Sequence, residues 1–300
     1  MSVIKVEHLT KDYGMNKGVF DVSFEIEKGE VFGFLGPNGA GKTTTIRHIL
    51  GFSRPQDGRC EVDGMDCWKK PDKILKQLGY LPGEIAFPND MKGIQFIRFM
   101  ARMQGMSGLG RAEELIKRFE LDPSGSLKRM SKGMKQKIGI VCAFMHNPSI
   151  LVLDEPTSGL DPLMQNVFVE LIEEEKKAGK TILMSSHIFE EVEKTCDRVA
   201  MIRQGRIAAT LQMDEIEHNK KKVFKLEFLQ IEDYQRFLRE QLDFQAADEG
   251  KKQVWVRVKD KDINAFIKVL ANYPLKFLSE VKSTLEDYFM NFYGGDSNVQ

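Results

Sequence analysis

Hydrophobic and polar residues alternate along the first part of the chain, as they do in half-buried strands. The stretches VIKVEHLT and GVFDVSFEI follow this alternation loosely. A compact apolar stretch, GEVFGFL, then runs directly into a glycine-rich turn, and the apolar residues of the next segment, TTTIRHILGF, have helical spacing. The pattern therefore predicts strands around a glycine-rich loop from residue 1 to about residue 82.

The pattern becomes helical between about residue 84 and residue 146. The segment GIQFIRFMARMQGM has apolar residues at helical spacing, and Phe96, Phe99 and Met103 widen its apolar face. From residue 148 to about residue 212, apolar strands alternate with amphipathic helices again. Because strands that alternate with helices are typical of parallel sheets, we expect an α/β fold with a mostly parallel sheet and an inserted helical segment.

A different pattern follows residue 215. The charged segment DEIEHNKKK leads into two alternating stretches around Phe224 and Val254, each followed by an amphipathic helix. The tail TLEDYFMNFYG again places its apolar residues on one face of a helix. The sequence thus predicts a large domain over residues 1–215 and a small α+β domain over residues 216–300, with a dimerising or regulatory role.

Composition narrows the classes of function. The 44 basic and 44 acidic residues cancel, and this balance argues against nucleic acid as the principal ligand. No stretch approaches the roughly 20 apolar residues that span a bilayer, and the N-terminus lacks the layout of a secretory signal. The scattered cysteines Cys60, Cys67, Cys142 and Cys196 are typical of reduced thiols in a cytosolic protein. Any membrane role is therefore expected to come through a partner.

The glycine-rich turn matches the phosphate-binding pattern G-x-x-x-x-G-K-[ST] between a predicted strand and a predicted helix. Its glycines let backbone amides face an anion, and the helix directs its positive end at the same point. Lys42 is expected to reach the β- and γ-phosphates of a nucleoside triphosphate, and Thr43 to ligate Mg²⁺. The candidate nucleotide-binding residues here are Gly36, Pro37, Asn38, Gly39, Ala40, Gly41, Lys42, Thr43 and Thr44.

Two carboxylates end a later apolar strand, ILVLDEP. Ligands of open α/β sheets collect at the carboxyl ends of the strands, so this strand is expected to end beside the phosphate loop. Asp154 is the candidate Mg²⁺ ligand, and Glu155 is the candidate base that orients and deprotonates water. Acidic residues are also common at ordinary strand-to-turn transitions, which is the alternative interpretation.

Three further stretches, RMSKGMKQK, SGLD and SSH, lie in a fixed order around this strand. With them, residues 1 to about 215 resemble the ATP-binding cassette (ABC) ATPases. The resemblance implies a P-loop NTPase fold: a RecA-like core, an antiparallel β subdomain and a helical subdomain at about 84–146. It also implies that two chains close head-to-tail over two ATP molecules.

In this resemblance, MSKGMKQK is the family signature, whose Ser131 and Gly133 would contact the γ-phosphate held by a second chain. Ser131 could otherwise be a simple helix cap. Lys132 departs from the usual signature, and we expect it to favour ATP-dependent closure by facing the partner's triphosphate. Asp161 belongs to SGLD, the counterpart of the family's D-loop, and is a further candidate nucleotide-binding residue.

Three more residues take roles from the resemblance. His187 matches the switch histidine that hydrogen-bonds the γ-phosphate, although a polar cap of its strand is the alternative. Tyr13 lies where the family stacks an aromatic ring under adenine. The family's metal-binding glutamine falls at Gly83 or Glu84, so Glu84 is a candidate cation ligand or, equally, a solvated loop residue.

The resemblance implies an ATPase subunit of an ABC transporter, with ATP and Mg²⁺ as cofactors. Single-cassette length and neutral charge favour an exporter ATPase that docks a separate membrane permease through residues 84–146 and is peripheral at the inner face of the membrane. LTKDYG, LGYLPGE and the C-terminal stretch are similar to bacterial multidrug, bacteriocin or lantibiotic exporters. The alternative is a soluble ABC ATPase that acts on nucleic acid or ribosomes.

Overall fold

The computed structural model describes residues 2–88, 90–214 and 221–281, together with residues 285, 286 and 289. The chain divides into two compact units, Met1–Met213 and Asp214–Gln300. The strands of the first unit are β1 (Ser2–Asp12), β2 (Gly18–Glu27), β3 (Val31–Leu35), β4 (Asp57–Val62), β5 (Met65–Asp66), β6 (Leu78–Leu81), β7 (Ile150–Asp154), β8 (Thr181–Ser186), β9 (Arg198–Arg203) and β10 (Arg206–Gln212). Its helices are α1 (Lys42–Ile49), α2 (Pro71–Gln77), α3 (Gly93–Met103), α4 (Gly110–Arg118), α5 (Lys132–Phe144), α6 (Pro162–Lys177) and α7 (Phe189–Thr195).

The first unit contains two sheets. The larger has the strand order β10-β9-β3-β8-β7-β6, and its neighbouring strands are parallel except for the pair β9 and β10. The smaller is antiparallel, in the order β2-β1-β4-β5. Every residue of β3, β7 and β8 is buried, which explains why these strands read as continuous apolar runs rather than as alternations. This arrangement matches the expected α/β fold with a mostly parallel sheet.

Apolar side chains fill the space between these two sheets. The Phe24 ring of β2 stacks on the Phe32 ring of β3, with ring centroids 5.2 Å apart. Ile4 and Val6 of β1 and Ile46 of α1 belong to the same buried cluster. The alternation along β1 and β2 thus encodes one face that packs on the core and one face that does not. The result is a rigid platform under the loop that precedes α1.

Helices α3, α4 and α5 form the inserted segment between β6 and β7. On α3, Gly93, Ile97 and Ala101 are buried, whereas Phe99 is 48% exposed and Met103 is 71% exposed. The widened apolar face of the sequence pattern therefore divides in two: one side packs inside the unit, and the other reaches the surface.

The second unit has the strands β11 (Lys221–Phe228), β12 (Asp243–Asp248), β13 (Gln253–Lys259) and β14 (Leu275–Val281) and the helices α8 (Ile231–Phe237) and α9 (Ile263–Leu270). Its sheet is antiparallel, in the order β12-β13-β11-β14. A β-α-β-β-α-β chain order with this sheet is the ferredoxin-like motif. Alternation puts Val254, Val256 and Val258 in the core, as the sequence pattern requires.

The predicted C-terminal helix lies mostly outside the described residues; of its apolar residues only Leu285 and Phe289 fall within them, and Leu285 is buried. All four cysteines are free thiols, as expected. Within the described ranges, no helix has the length and apolar character that a bilayer-crossing helix requires.

Candidate active site

The loop between β3 and α1 lies at the carboxyl end of the central strand of the large sheet. Its glycines are there for two physical reasons. Gly39 and Gly41 have φ values of 79° and 114°, a region that side chains with a Cβ rarely adopt. At Gly36, a Cβ would lie 2.5 Å from the Ile202 carbonyl oxygen, so only glycine permits this close approach. The loop is therefore fixed in a shape that leads directly into the first turn of α1.

Lys42, the first residue of α1, is folded back over this loop. Its ammonium donates to the Gly36 carbonyl at 2.5 Å and to the Pro37 carbonyl at 3.3 Å. The same ammonium lies 3.0 Å from Oε1 of Glu155, and the side chain is only 5% exposed. A buried cation is costly unless it is paired, and here the loop carbonyls and one carboxylate pair it. Lys42 thus connects the phosphate loop to the end of β7.

Asp154, the last residue of β7, is 1% exposed and is held by two hydroxyls. Thr43 Oγ1 donates to its Oδ2 at 2.8 Å, and Ser185 Oγ donates to its Oδ1 at 2.5 Å. The parallel register of β7 and β8 pairs Asp154 with Ser185, which brings these strand ends together. A carboxylate and a threonine hydroxyl are the hard oxygen ligands that Mg²⁺ prefers, so this pair fits the predicted metal.

Glu155 turns its carboxylate toward both Lys42 and His187. Its φ of 51° is left-handed, an uncommon backbone conformation that is often found at functional sites. The Glu155 amide donates a hydrogen bond of 3.2 Å to the Ser185 carbonyl oxygen. Oε2 of Glu155 lies 2.5 Å from Nδ1 of His187, the residue that follows β8. A candidate base is thus held between a cation from α1 and an imidazole from β8.

Gly83 and Glu84, the two candidate positions for the family's glutamine, differ in their surroundings. A Cβ on Gly83 would lie 3.3 Å from Asp154 Oδ2, so position 83 is next to the carboxylate. Glu84 lines the same cavity as Asp154. Gly83 rather than Glu84 therefore occupies the place where a side chain would meet Asp154.

These groups line a cavity of about 740 Å³. Tyr13 lies on the cavity wall and is 57% exposed, with the Lys11 ammonium 5.8 Å from the centre of its ring. The candidates from the sequence that the fold brings together around the cavity are Tyr13, Pro37, Asn38, Gly39, Gly41, Lys42, Thr43, Thr44, Glu84, Lys132, Asp154, Glu155 and His187.

Five candidates do not line this cavity: Gly36, Ala40, Ser131, Gly133 and Asp161. Two of them cap helices instead. Ser131 Oγ accepts from the Met134 amide at 3.2 Å at the start of α5, and Asp161 Oδ1 accepts from the Met164 amide at 3.0 Å at the start of α6. Within one chain, then, Asp161 has a structural contact and no place at the nucleotide cavity.

The signature segment contacts the SGLD segment of its own chain. The Lys132 ammonium donates to Ser158 Oγ at 2.8 Å and lines the cavity of its own chain, whereas the sequence predicted that it faces a partner's triphosphate. A Cβ on Gly133 would lie 2.6 Å from the Gly159 carbonyl oxygen. Glycine at position 133 is therefore required where α5 begins against this segment.

Sequence reasoning missed several residues of the cavity wall, namely Lys17, Gly18, Arg47, Tyr80 and Pro82, and it named Gly83 and Ser158 only as parts of motifs. Arg47 could have been found, because it lies one helical turn after Thr43 on α1. Tyr80 could not, because it reaches the cavity only through the pairing of β6 with β7. Burial and the nearby Asp154 carboxylate raise the pKa of Tyr80 to about 12, so its hydroxyl stays neutral.

A mostly parallel sheet, a phosphate loop at the start of a helix and a carboxylate pair at the end of β7, which β8 separates from β3, define a P-loop nucleoside triphosphatase. A family model described as ABC transporter matches residues 19–158. The ABC transporter ATP-binding protein NatA of Bacillus subtilis (strain 168) is 43% identical over 197 residues, which cover 64% of this chain and 80% of NatA.

Similarity to two further proteins extends the comparison. Bacitracin transport ATP-binding protein BcrA of Bacillus licheniformis is 31% identical over 303 residues and is matched over 98% of each chain. The solved structure of an ATP-binding subunit of an ABC transporter has a TM-score of 0.67 and 33% identity, over 73% of this chain and 93% of that chain. The chain belongs to the ATP-binding proteins of the ABC transporter family. The predicted fold class and the predicted ATPase function are thus confirmed.

Proposed function

We propose that this chain binds MgATP in the cavity above α1, closes with a second copy over two nucleotides, and drives a separate membrane permease as the ATPase of an exporter. The observation that carries the proposal is the meeting of Lys42, Glu155 and His187 at one wall of the cavity, next to the pair formed by Thr43 and Asp154. Three different elements supply these groups, and the sheet order alone brings them together.

Binding of the triphosphate falls to the loop and to α1. Loop amides and the helix N-terminus attract the phosphate oxygens, and Lys42 supplies a mobile cation for the terminal phosphates. Thr43 and Asp154 would hold Mg²⁺, which would neutralise phosphate charge when bound. Tyr13 contributes a ring face for the base.

Hydrolysis falls to Glu155 and His187. Glu155 accepts a proton from the attacking water, for which its carboxylate has to be ionised and within hydrogen-bond reach. Lys42 and His187 contact the two carboxylate oxygens of Glu155 and hold the side chain in place. His187 holds Glu155 from the other side and contributes a ring N–H to the γ-phosphate end of the cavity.

The proposed closure of two copies is supported by the absence of the signature residues from the cavity of their own chain. Ser131 and Gly133 belong to the family signature but do not line their own chain's cavity. Ser131 begins α5, whose first amides form an anion-attracting helix end. In a head-to-tail pair this end would face the triphosphate of the other copy.

Docking of a permease is supported by α3, where Phe99 and Met103 are exposed. Large apolar side chains on a surface often mark contacts with another protein. The name of BcrA describes that relative as a bacitracin transport protein, and its match covers both units of this chain. These two observations favour an exporter over an ATPase that acts on ribosomes or nucleic acid.

The test combines one catalytic variant with one surface variant of the full-length protein. Glu155→Gln should still bind ATP and should accumulate as an ATP-bound dimer in size-exclusion chromatography with light scattering. A Glu155→Gln protein that binds ATP with Mg²⁺ and stays monomeric would contradict the proposed closure of two copies over two nucleotides.

A double variant, Phe99→Ala with Met103→Ala, should lose copurification with membranes from the native host while keeping ATP binding.

Ile267→Ala is the matched control for that surface variant, because Ile267 is 55% exposed but lies in the second unit. It should copurify with membranes as the wild type does. If the wild-type protein pelleted with ribosomes or bound DNA and did not copurify with membranes, the proposal that its partner is a membrane permease would be refuted.

A further inference from the structure

A buried carboxyl group lies behind the active site, and none of the roles proposed above uses it. Glu191 is on α7, four residues after His187, and only 5% of it is exposed. Its Oε2 accepts a hydrogen bond of 2.6 Å from the Ser186 hydroxyl. The hydroxyl of Thr157 also faces this carboxyl group and favours its charged form. Burying such a group costs free energy, so its presence needs a physical reason.

Ser186 connects Glu191 to the turn that carries His187. The residue ends β8 immediately before His187, and its hydroxyl donates to Glu191. The same oxygen accepts from the amide of Ile188 at 3.0 Å, immediately after His187. The hydroxyl is thus fixed by the carboxylate and in turn fixes the backbone on both sides of His187.

Thr157, on the segment that carries Glu155, has a hydroxyl that acts to lower the pKa of the same carboxyl group. It is 3% exposed and lies two residues after Glu155. The turn between them is held by the Ser158 amide, which donates to the Glu155 carbonyl at 3.1 Å. Glu191 is therefore hydrogen-bonded to the segment that carries His187 and lies near the segment that carries Glu155. The side chains of these two segments meet in the contact of 2.5 Å between Glu155 and His187.

The electrostatics around Glu191 agree with this position. Burial raises its pKa to about 7, and the charge of Glu155 acts in the same direction. The two hydroxyls act against the rise because they stabilise the ionised form.

We propose that Glu191 is a positioning residue for ATP hydrolysis, which fixes His187 relative to Glu155 through the hydroxyl of Ser186. Glu191 itself touches neither nucleotide nor water. The proposal rests on the roles proposed above for Glu155 and His187, and it assigns the orientation of these two side chains to a residue on α7.

The test uses the full-length protein with Glu191→Gln, Ser186→Ala and the double variant. Glutamine keeps the shape of the side chain, but it replaces one carboxylate oxygen with an NH₂ group and lacks the charge that strengthens the bond from Ser186. We expect kcat for ATP hydrolysis to fall about tenfold in each single variant, while KM and the affinity for a fluorescent ATP analogue change by less than about twofold. The double variant should be no slower than the slower single variant, because both changes remove the same link.

Thr195→Val is the matched control. Thr195 is a buried hydroxyl on the same helix, and it donates to the backbone oxygen of Glu191 at 2.7 Å without reaching His187. Its kcat should stay within about twofold of the wild type. An unchanged kcat in Glu191→Gln would overturn the proposal, and so would an equal loss in Thr195→Val, additive effects in the double variant, or a loss confined to ATP affinity.

Folding and function are separated by two further measurements. Thermal unfolding of each variant identifies a loss of stability, and Glu191→Asp, which keeps the charge on a shorter side chain, should recover part of kcat if the carboxylate acts by positioning. Recovery of none of the kcat by a folded Glu191→Asp would count against it. Glu155→Gln reports on the proposed function itself: if that variant kept full turnover, the role of Glu155 would fail whatever the Glu191 series gave.

Discussion

The two units of this protein differ most in what they bury. In the part of the chain that the structure describes, every buried polar or charged side chain other than tyrosine lies in the first unit, among them Lys42, Asp154, Ser185 and Glu191. The core of the second unit is built from Val254, Val256 and similar aliphatic and aromatic residues. Burial of polar groups costs free energy. The first unit therefore loses stability by holding these groups in its interior, and the described part of the second unit does not.

The largest expected effect is a loss of stability when the hydrophobic core of the second unit is disrupted. Phe228→Ala removes a fully buried ring that contacts Phe237 and Tyr273 in the second unit. The variant should lose about 4 kcal/mol of stability in the unfolding of that unit, measured by denaturant titration. Phe277→Ala is the control in the same unit, since Phe277 is 46% exposed, and it should lose less than about 0.5 kcal/mol. Equal losses in the two variants would show that the second unit has no specific core.

The next effect is a dependence of stability on pH at Glu191. Its pKa is raised to about 7 by burial, with Glu155 as the charged group that faces it and hydroxyls of Ser186 and Thr157 opposing the rise. The unfolded chain loses this proton near pH 4.5, so the folded state binds more protons between these values and the contribution of Glu191 to stability falls as pH rises through that window.

Glutamine does not titrate, so Glu191→Gln should gain about 3 kcal/mol relative to the wild type between pH 4.5 and pH 8. Denaturant unfolding of both proteins at the two pH values measures this change. Glu249→Gln, at an exposed position of the second unit, is the control and should show no comparable change. A stability difference that is the same at both pH values would mean that Glu191 titrates normally.

A binding effect of somewhat smaller size is expected at Lys42. Lys42→Ala removes the buried cation that contacts Gly36, Pro37 and Glu155 and leaves this carboxylate with His187 as its remaining partner. Affinity for ATP should fall about 100-fold, equivalent to about 2.7 kcal/mol, in a fluorescent-nucleotide titration. Lys28→Ala, which changes an exposed lysine of the same unit, should bind ATP as the wild type does. ATP affinity that survives in Lys42→Ala would refute the proposed role of the loop lysine.

The smallest effect compares two helix caps. Ser131→Ala and Asp161→Ala each remove a side-chain acceptor at a helix start and should each cost about 1 kcal/mol in thermal unfolding. Only Ser131→Ala should also impair ATP-dependent dimerisation, because only Ser131 is proposed to face the partner's triphosphate. If both variants dimerise normally with ATP, Ser131 is a cap and nothing more.

Much of the site could be predicted from local sequence, because its parts are local structures. The phosphate loop is a contiguous strand, turn and helix, and its glycines are required by backbone conformation at Gly39 and Gly41 and by close approach at Gly36. The pairing of hydroxyl and carboxylate at Thr43 and Asp154 also agrees with expectation, since both ends belong to motifs with fixed places in the sheet. The pattern of strands and helices gave the α/β class for the same reason: periodicity reports burial.

Other features depended on contacts between distant segments, which local patterns do not encode. The motifs did not indicate that Asp161 caps α6 or that Lys132 donates to Ser158. Tyr80 joins the cavity only because β6 pairs with β7, and the link from Glu191 through Ser186 requires α7 to pack behind β8.

By itself, then, the sequence determined which backbone segment forms the glycine-rich loop and which strands are buried, because glycine conformation and hydrophobic periodicity are local properties. The tertiary structure alone decided which side chains face one another across the strand ends. Such contacts depend on sheet order and on the approach of segments more than 100 residues apart, as for Lys42 and Glu155.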